Sequence, residues 1–145
     1  MNRWMLIITA LLLTTGSLGA LAFDETQYRS VTVDHAACLW CDLSGAKLAT
    51  VDLTGVDLTG TDLTGADLSG AVLRNADLSG ADLTDAVLTG TDFTGANLAG
   101  ADLNQVDLSS AVLVGAKLEG AYCDWATKLP SDAAMFCEGV TLAHK

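Results

Sequence analysis

Basic residues are scarce in this chain. Seven Lys and Arg stand against eighteen Asp and Glu, for a formal net charge of −11. Nucleic-acid binding needs clustered Lys or Arg at the phosphates, so that function is excluded. Anionic membrane surfaces are disfavoured on the same ground. Histidine is nearly absent. Its two copies, His35 and His144, lie in opposite flanks. No Ser-His-Asp or Cys-His set can then converge, and the chain reads as non-enzymatic. Proline occurs once, at Pro130, and the long apolar run is confined to the first 22 residues.

That run has the form of an export signal. "MNRW" carries one arginine and no acid, "MLIITALLLTTGSLGALA" follows, and Ala20-Leu21-Ala22 is an A-x-A cleavage pattern. Residues 1–22 read as a signal peptide removed ahead of Phe23. The run is short for a membrane span, so no stable membrane insertion is expected after cleavage. The expected location is periplasmic or extracellular. Loss of Arg3 leaves six basic residues against eighteen acids, a net charge of −12. All four cysteines, Cys38, Cys41, Cys123 and Cys137, follow the signal. An even count in an exported chain reads as two disulfides.

What the chain does have is a period of five. Residues 41–120 divide into sixteen consecutive five-residue units. The third position is Leu fifteen times and Phe once, at Phe93, while the first is small, with ten alanines. The second is Asp or Asn in eleven units, the fourth is mostly Ser or Thr, and the fifth is mostly Gly. In an α-helix a step of five leaves successive leucines ~140° apart, so no apolar face forms. In a flat strand an odd step alternates the leucines between faces. A chain that turns once per unit resolves both failures. Four units then close a square coil of twenty residues, with every leucine inside and Asp, Thr and Gly outside. Stacked at ~4.8 Å per rung, four coils make a rod ~19 Å long.

The units "ADLSG", "TDLTG" and "ANLAG" resemble the A-(D/N)-L-x-x unit of the pentapeptide repeat family. The resemblance implies an all-β fold, a right-handed quadrilateral parallel β-helix, here of about four coils with N- and C-terminal caps. It implies no common chemistry and no cofactor. The expected division is a signal at 1–22, an N-terminal cap at 23–40, the repeats at 41–120 and a C-terminal cap at 121–145. The opening "CLWCDLSGAKL" resembles the start of some exported members. The tail from Tyr122 through Thr127 to Pro130 resembles their closing segments.

Residues twenty apart should stack. One outer column is then Asp42, Asp62, Asp82 and Asp102, a carboxylate ladder that could attract cations. Its plainer reading is that these aspartates are solvated, or accept hydrogen bonds from nearby Ser, Thr or backbone. A second column alternates Asp52, Val72, Asp92 and Val112, followed by Val114. Val87 replaces Asp on the neighbouring side, in a column with Lys47, Asp67 and Asp107. Val72, Val87, Val112 and Val114 mark the least charged surface, a candidate contact patch for a partner protein or a second copy of the chain.

The register also sorts the cysteines. Cys41 and Cys123 fall four rungs apart, ~19 Å, whereas bridged Cα atoms lie within ~7 Å. That excludes Cys38 or Cys41 pairing with Cys123, and Cys137 could reach back only if the tail ran the rod's length. The predicted disulfides are Cys38–Cys41 and Cys123–Cys137, each stapling one cap. The spacing His35-x-x-Cys38-x-x-Cys41 could begin a metal site, but a fourth ligand is missing nearby, so no metal is assigned.

The leading functional reading is an exported structural or protein-interaction module. The alternative is a DNA-mimicking protein, since some pentapeptide repeat proteins resemble B-DNA in size and charge, bind gyrase and give fluoroquinolone resistance. The export signal, the short array and the lack of an evident C-terminal helix depart from that type. Regular threonine columns for ice binding are not present, because the column Ser44, Thr64, Thr84, Asn104 is mixed.

Overall fold

The computed structural model describes residues 37–130. The predicted signal peptide and its cleavage site, the flank through residue 36 with His35, and the tail 131–145 with Cys137 and His144 lie outside the described residues. Within them the chain turns through four faces and returns after twenty residues. Face 1 carries units 41–45, 61–65, 81–85 and 101–105. Faces 2, 3 and 4 begin five, ten and fifteen residues later.

Each unit contributes one parallel bridge, at its second residue. Asp42 pairs with Asp62, Asp62 with Asp82, Asp82 with Asp102, and Asp102 with Tyr122. In the regular units three backbone bonds join successive coils. Leu43 N–H donates to the Asp62 carbonyl at 2.8 Å, Gly45 N–H to the Thr64 carbonyl at 2.8 Å, and Asp62 N–H back to the Cys41 carbonyl at 2.8 Å. A fourth bond closes the corner, from Ala46 N–H to the Leu43 carbonyl at 3.0 Å. The fifth residue of the unit must take a left-handed backbone there, which explains its glycines. Thr50 sits at such a corner with φ 61°, a costly conformation for a β-branched residue. Thr50→Gly is therefore expected to stabilise the protein by about 0.5–1 kcal/mol, read as a higher urea midpoint.

The third residues form the core. Leu43, Leu63, Leu83 and Leu103 are fully buried on face 1, as are Leu53, Leu73 and Phe93 on face 3. First-position alanines fill the space beside them. Two first positions are polar and buried, and both are satisfied. Thr61 Oγ1 donates to the Cys38 carbonyl, and Thr91 Oγ1 donates to the Leu68 carbonyl at 2.8 Å.

The inward register continues past the sixteen units. Cys38 occupies a third position and is buried, and its N–H donates to the Asp57 carbonyl at 2.7 Å. Cys123 is likewise an inward third residue. Cys38 and Cys41 form a disulfide, with Cα atoms 5.4 Å apart. They are the third residue of one unit and the first of the next, the pair that the corner hydrogen bond joins elsewhere. Cys123 is disulfide-bonded; its predicted partner, Cys137, lies outside the described residues. After Ala121 the period lengthens by one, and Asp107 bridges Lys128, twenty-one residues on.

Candidate functional site

With leucine inside, all the variable chemistry faces outward. The aspartates come first because the repeat itself uses them. Asp42 Oδ1 accepts the Ser44 amide at 3.0 Å and its hydroxyl at 2.6 Å. Asp52, Asp57, Asp67 and Asp92 bind the fourth residue of their own unit in the same two ways. Asp62, Asp82 and Asp102 accept the amides of Thr64, Thr84 and Asn104 at 2.9, 2.9 and 3.0 Å. Each carboxylate thus supplies an acceptor to a corner amide, a side-chain mimic of a turn. Among the described residues no group of three or more His, Cys, Asp or Glu converges to hold a metal ion.

These bonds favour the ionised form. The Ser69 hydroxyl and amide, with Lys47 alongside, hold Asp67 below the usual carboxylate value, and Ser79, with Asn97 and Lys117, does the same for Asp77. Asp92 is lowered to about 2 by the Thr94 hydroxyl and amide and by Arg74. Its second oxygen takes Arg74 Nε at 2.6 Å. Asp107 falls to about 2 through Lys128 first, then Ser109, with Lys128 Nζ at 2.8 Å.

The basic residues fall on faces 2, 3 and 4. Lys47 stacks on Asp67, Arg74 reaches Asp92, Lys117 stacks on Asn97, and Lys128 pairs with Asp107. Face 1 carries none among the described residues. Its column runs Asp42, Asp62, Asp82, Asp102 and ends on Tyr122. The stack gives one prediction. Asp82→Ala removes the acceptor of the Thr84 amide and is expected to cost about 1 kcal/mol. Asp82→Asn keeps an acceptor and removes a charge between Asp62 and Asp102, so it should lie within about 0.5 kcal/mol of the parent. Urea titrations at low and high salt separate the two terms.

The valines occupy two faces. Val72 is half-buried between the bridged Asp52 and Asp92, and Val112 and Val114 end that same face at 42% and 70% exposure. Val87 lies on face 2 and is also exposed. Sequence reasoning singled out neither Trp40 nor Trp125 and gave Tyr122 no role beyond the closing segment. Tyr122 is 59% exposed, Trp40 76% and Trp125 92%. Register would have found them, since Trp40 and Trp125 hold corner positions and Tyr122 an outward second position. Asp124 builds the Trp125 corner by accepting the amides of Gln105, Ala126 and Thr127. Trp40 lies over the next coil, where a Cβ added at Gly60 would fall 2.3 Å from its ring.

A solenoid of square coils with a solid leucine core and Asp-capped corners defines the class. The profile for pentapeptide repeats matches residues 37–75, 52–90 and 86–122, in eight copies. The chain belongs to the pentapeptide repeat family, whose fold is a right-handed quadrilateral β-helix. It is similar to a pentapeptide repeat protein of the Arabidopsis thaliana thylakoid lumen at 33% identity, over 65% of this chain and 68% of that one, with a TM-score of 0.44. A pentapeptide repeat protein of Nostoc PCC 7120 is 40% identical over 74% and 84%, with a TM-score of 0.38. QnrB1, a plasmid-mediated fluoroquinolone resistance protein, is 22% identical over 61% and 55%, with a TM-score of 0.34. No curated protein sequence gives a significant match.

Proposed function

We propose that this protein is an exported, non-enzymatic docking rod that a partner protein recognises through its outward faces. In this reading the rod has about four coils, closed by caps at 23–40 and 121–145, with a second disulfide at Cys123–Cys137. One observation carries it. Among the described residues the buried side chains are apolar apart from the two satisfied threonines, so recognition chemistry is left to the surface. Face 1 is the favoured docking face, because no described basic residue stacks on Asp62, Asp82 or Asp102. The Cys38–Cys41 disulfide supports an oxidising compartment.

The test expresses the full chain in a bacterium. Fractionation should place it outside the cytoplasm, with an N-terminus at Phe23. Crosslinking in that compartment should capture a partner that the variant Asp62→Asn/Asp82→Asn/Asp102→Asn fails to retain. The competing reading is gyrase binding by DNA mimicry, which the acidic surface favours. An uncleaved chain in the cytoplasm that inhibits DNA supercoiling would establish that alternative and overturn the docking-rod reading.

A further inference from the structure

Faces 1, 3 and 4 run unbroken through the array. Face 3 bridges Asp52, Val72, Asp92 and Val112, and face 4 bridges Asp57, Asp77, Asn97 and Lys117. Face 2 does not. Lys47, Asp67 and Val87 bridge in turn, and Asp107 bridges forward to Lys128, but among the described residues none joins Val87 to Asp107. This departs from the regular twenty-residue stacking read from the sequence. One coil earlier the rung is intact. Leu68 N–H reaches the Val87 carbonyl, Gly70 N–H the Thr89 carbonyl and Val87 N–H the Ala66 carbonyl, all at 2.9 Å. The equivalent bonds of Leu88 to Asp107, Gly90 to Ser109 and Asp107 to Ala86 are absent among the described residues. Gly90 N–H takes the Ser110 hydroxyl instead, at 3.2 Å.

The corners on either side account for the gap. Of the seventeen fifth-position residues from Trp40 to Gly120, sixteen have positive φ and Ser110 is the exception. Serine pays the usual penalty for the left-handed region, so this corner turns differently. At the preceding corner the bond from Val106 N–H to the Leu103 carbonyl is missing. That carbonyl takes the Thr127 hydroxyl at 2.8 Å, and Gln105 N–H takes the Asp124 carboxylate at 3.1 Å. The rung 106–110 is held from beyond. Leu108 N–H donates to the Lys128 carbonyl at 2.7 Å, and Lys128 N–H to the Val106 carbonyl at 2.9 Å.

We infer that residues 106–129 form a separately opening end coil, released from the body of the rod at the face 2 gap. Three faces rather than four hold it down, and a unit with fewer cross-coil bonds opens below the free energy of global unfolding. The coil carries Val112, Val114, Tyr122 and Trp125, four exposed apolar or aromatic side chains. Opening would move them as one group relative to the aspartate column of the body. This inference rests on register and hydrogen bonding and is independent of the docking reading.

Native-state hydrogen exchange on the full chain tests it. The amides of Val112, Lys117 and Tyr122, which donate across the boundary to Thr91, Ala96 and Ala101, should exchange together. They should do so at least about tenfold faster than those of Val72, Asp77 and Asp82 in the body. Ser110→Gly and Ser110→Asn, which both accept a left-handed backbone, should slow the first group toward the second. Equal protection of the two groups in the parent overturns the inference, as do unchanged rates in both Ser110 variants.

Discussion

Replacing Phe93 by alanine is expected to lower the free energy of unfolding by about 3–5 kcal/mol, measured by urea denaturation. Phe93 is fully buried, and it is the largest side chain in the core. It stands between Leu73 and Leu113 in the face 3 column, and its own N–H is fixed to the Val112 carbonyl at 2.8 Å. The surrounding backbone is tied coil to coil, so the cavity cannot collapse and its lining loses contacts outright. Phe93→Leu restores the residue of the other fifteen units and should cost less than about 1.5 kcal/mol. Leu113→Ala in the same column is the useful contrast. Leu113 is only half-buried at the end of its face, and its truncation should cost about 1–2 kcal/mol. Equal losses at Phe93 and Leu113 would mean that the column does not act as a stacked core.

This contrast marks how far the sequence could be read. Translation by twenty residues is a local symmetry, and it predicts which residue stacks on which wherever each corner obeys the rule. The inward leucines, the face 1 aspartate column and the Cys38–Cys41 pair follow from it. The gap at Val87 does not. It coincides with one corner residue, Ser110, that does not adopt the left-handed backbone, and with an extra residue near Trp125 beyond which Asp107 bridges Lys128. The first signal is visible as a serine in a glycine position. The second appears only once the final unit is paired in space. The aspartates were legible as outward residues, and their plainer reading left open solvation or hydrogen bonding to nearby Ser, Thr or backbone. What the pattern could not give was the acceptor geometry, in which one Oδ1 serves an amide two residues on. That bond explains why Asp or Asn recurs where any polar residue would face water.

The corner role of the aspartates makes acid the second strong perturbation. Asp67, Asp77, Asp92, Asp107 and Asp124 all have carboxyl pKa values below the ordinary 3.8, with Asp92 and Asp107 near 2. At Asp124 burial opposes the shift, and the hydrogen bonds from Gln105, Thr127 and Ala126 outweigh it. A depressed folded-state value means that the unfolded chain takes up protons first as pH falls. The stability these groups contribute is therefore complete above about pH 4 and is lost progressively toward pH 2. Each of these surface groups, of which only Asp107 is exposed rather than half-buried, contributes little alone, but five titrate in one window and each protonation removes an acceptor from a corner or an ion pair. The melting temperature should hold from neutral pH to about pH 4 and then fall steeply. Asp92→Asn/Asp107→Asn keeps acceptors at both corners without the titration, so it should flatten the limb below pH 3 while lowering the plateau through loss of the Arg74 and Lys128 pairs. A melting temperature that rises continuously to pH 2 would mean that relief of the net negative charge outweighs the corner bonds. The acidity of this surface would then work against the rod's stability rather than hold its turns.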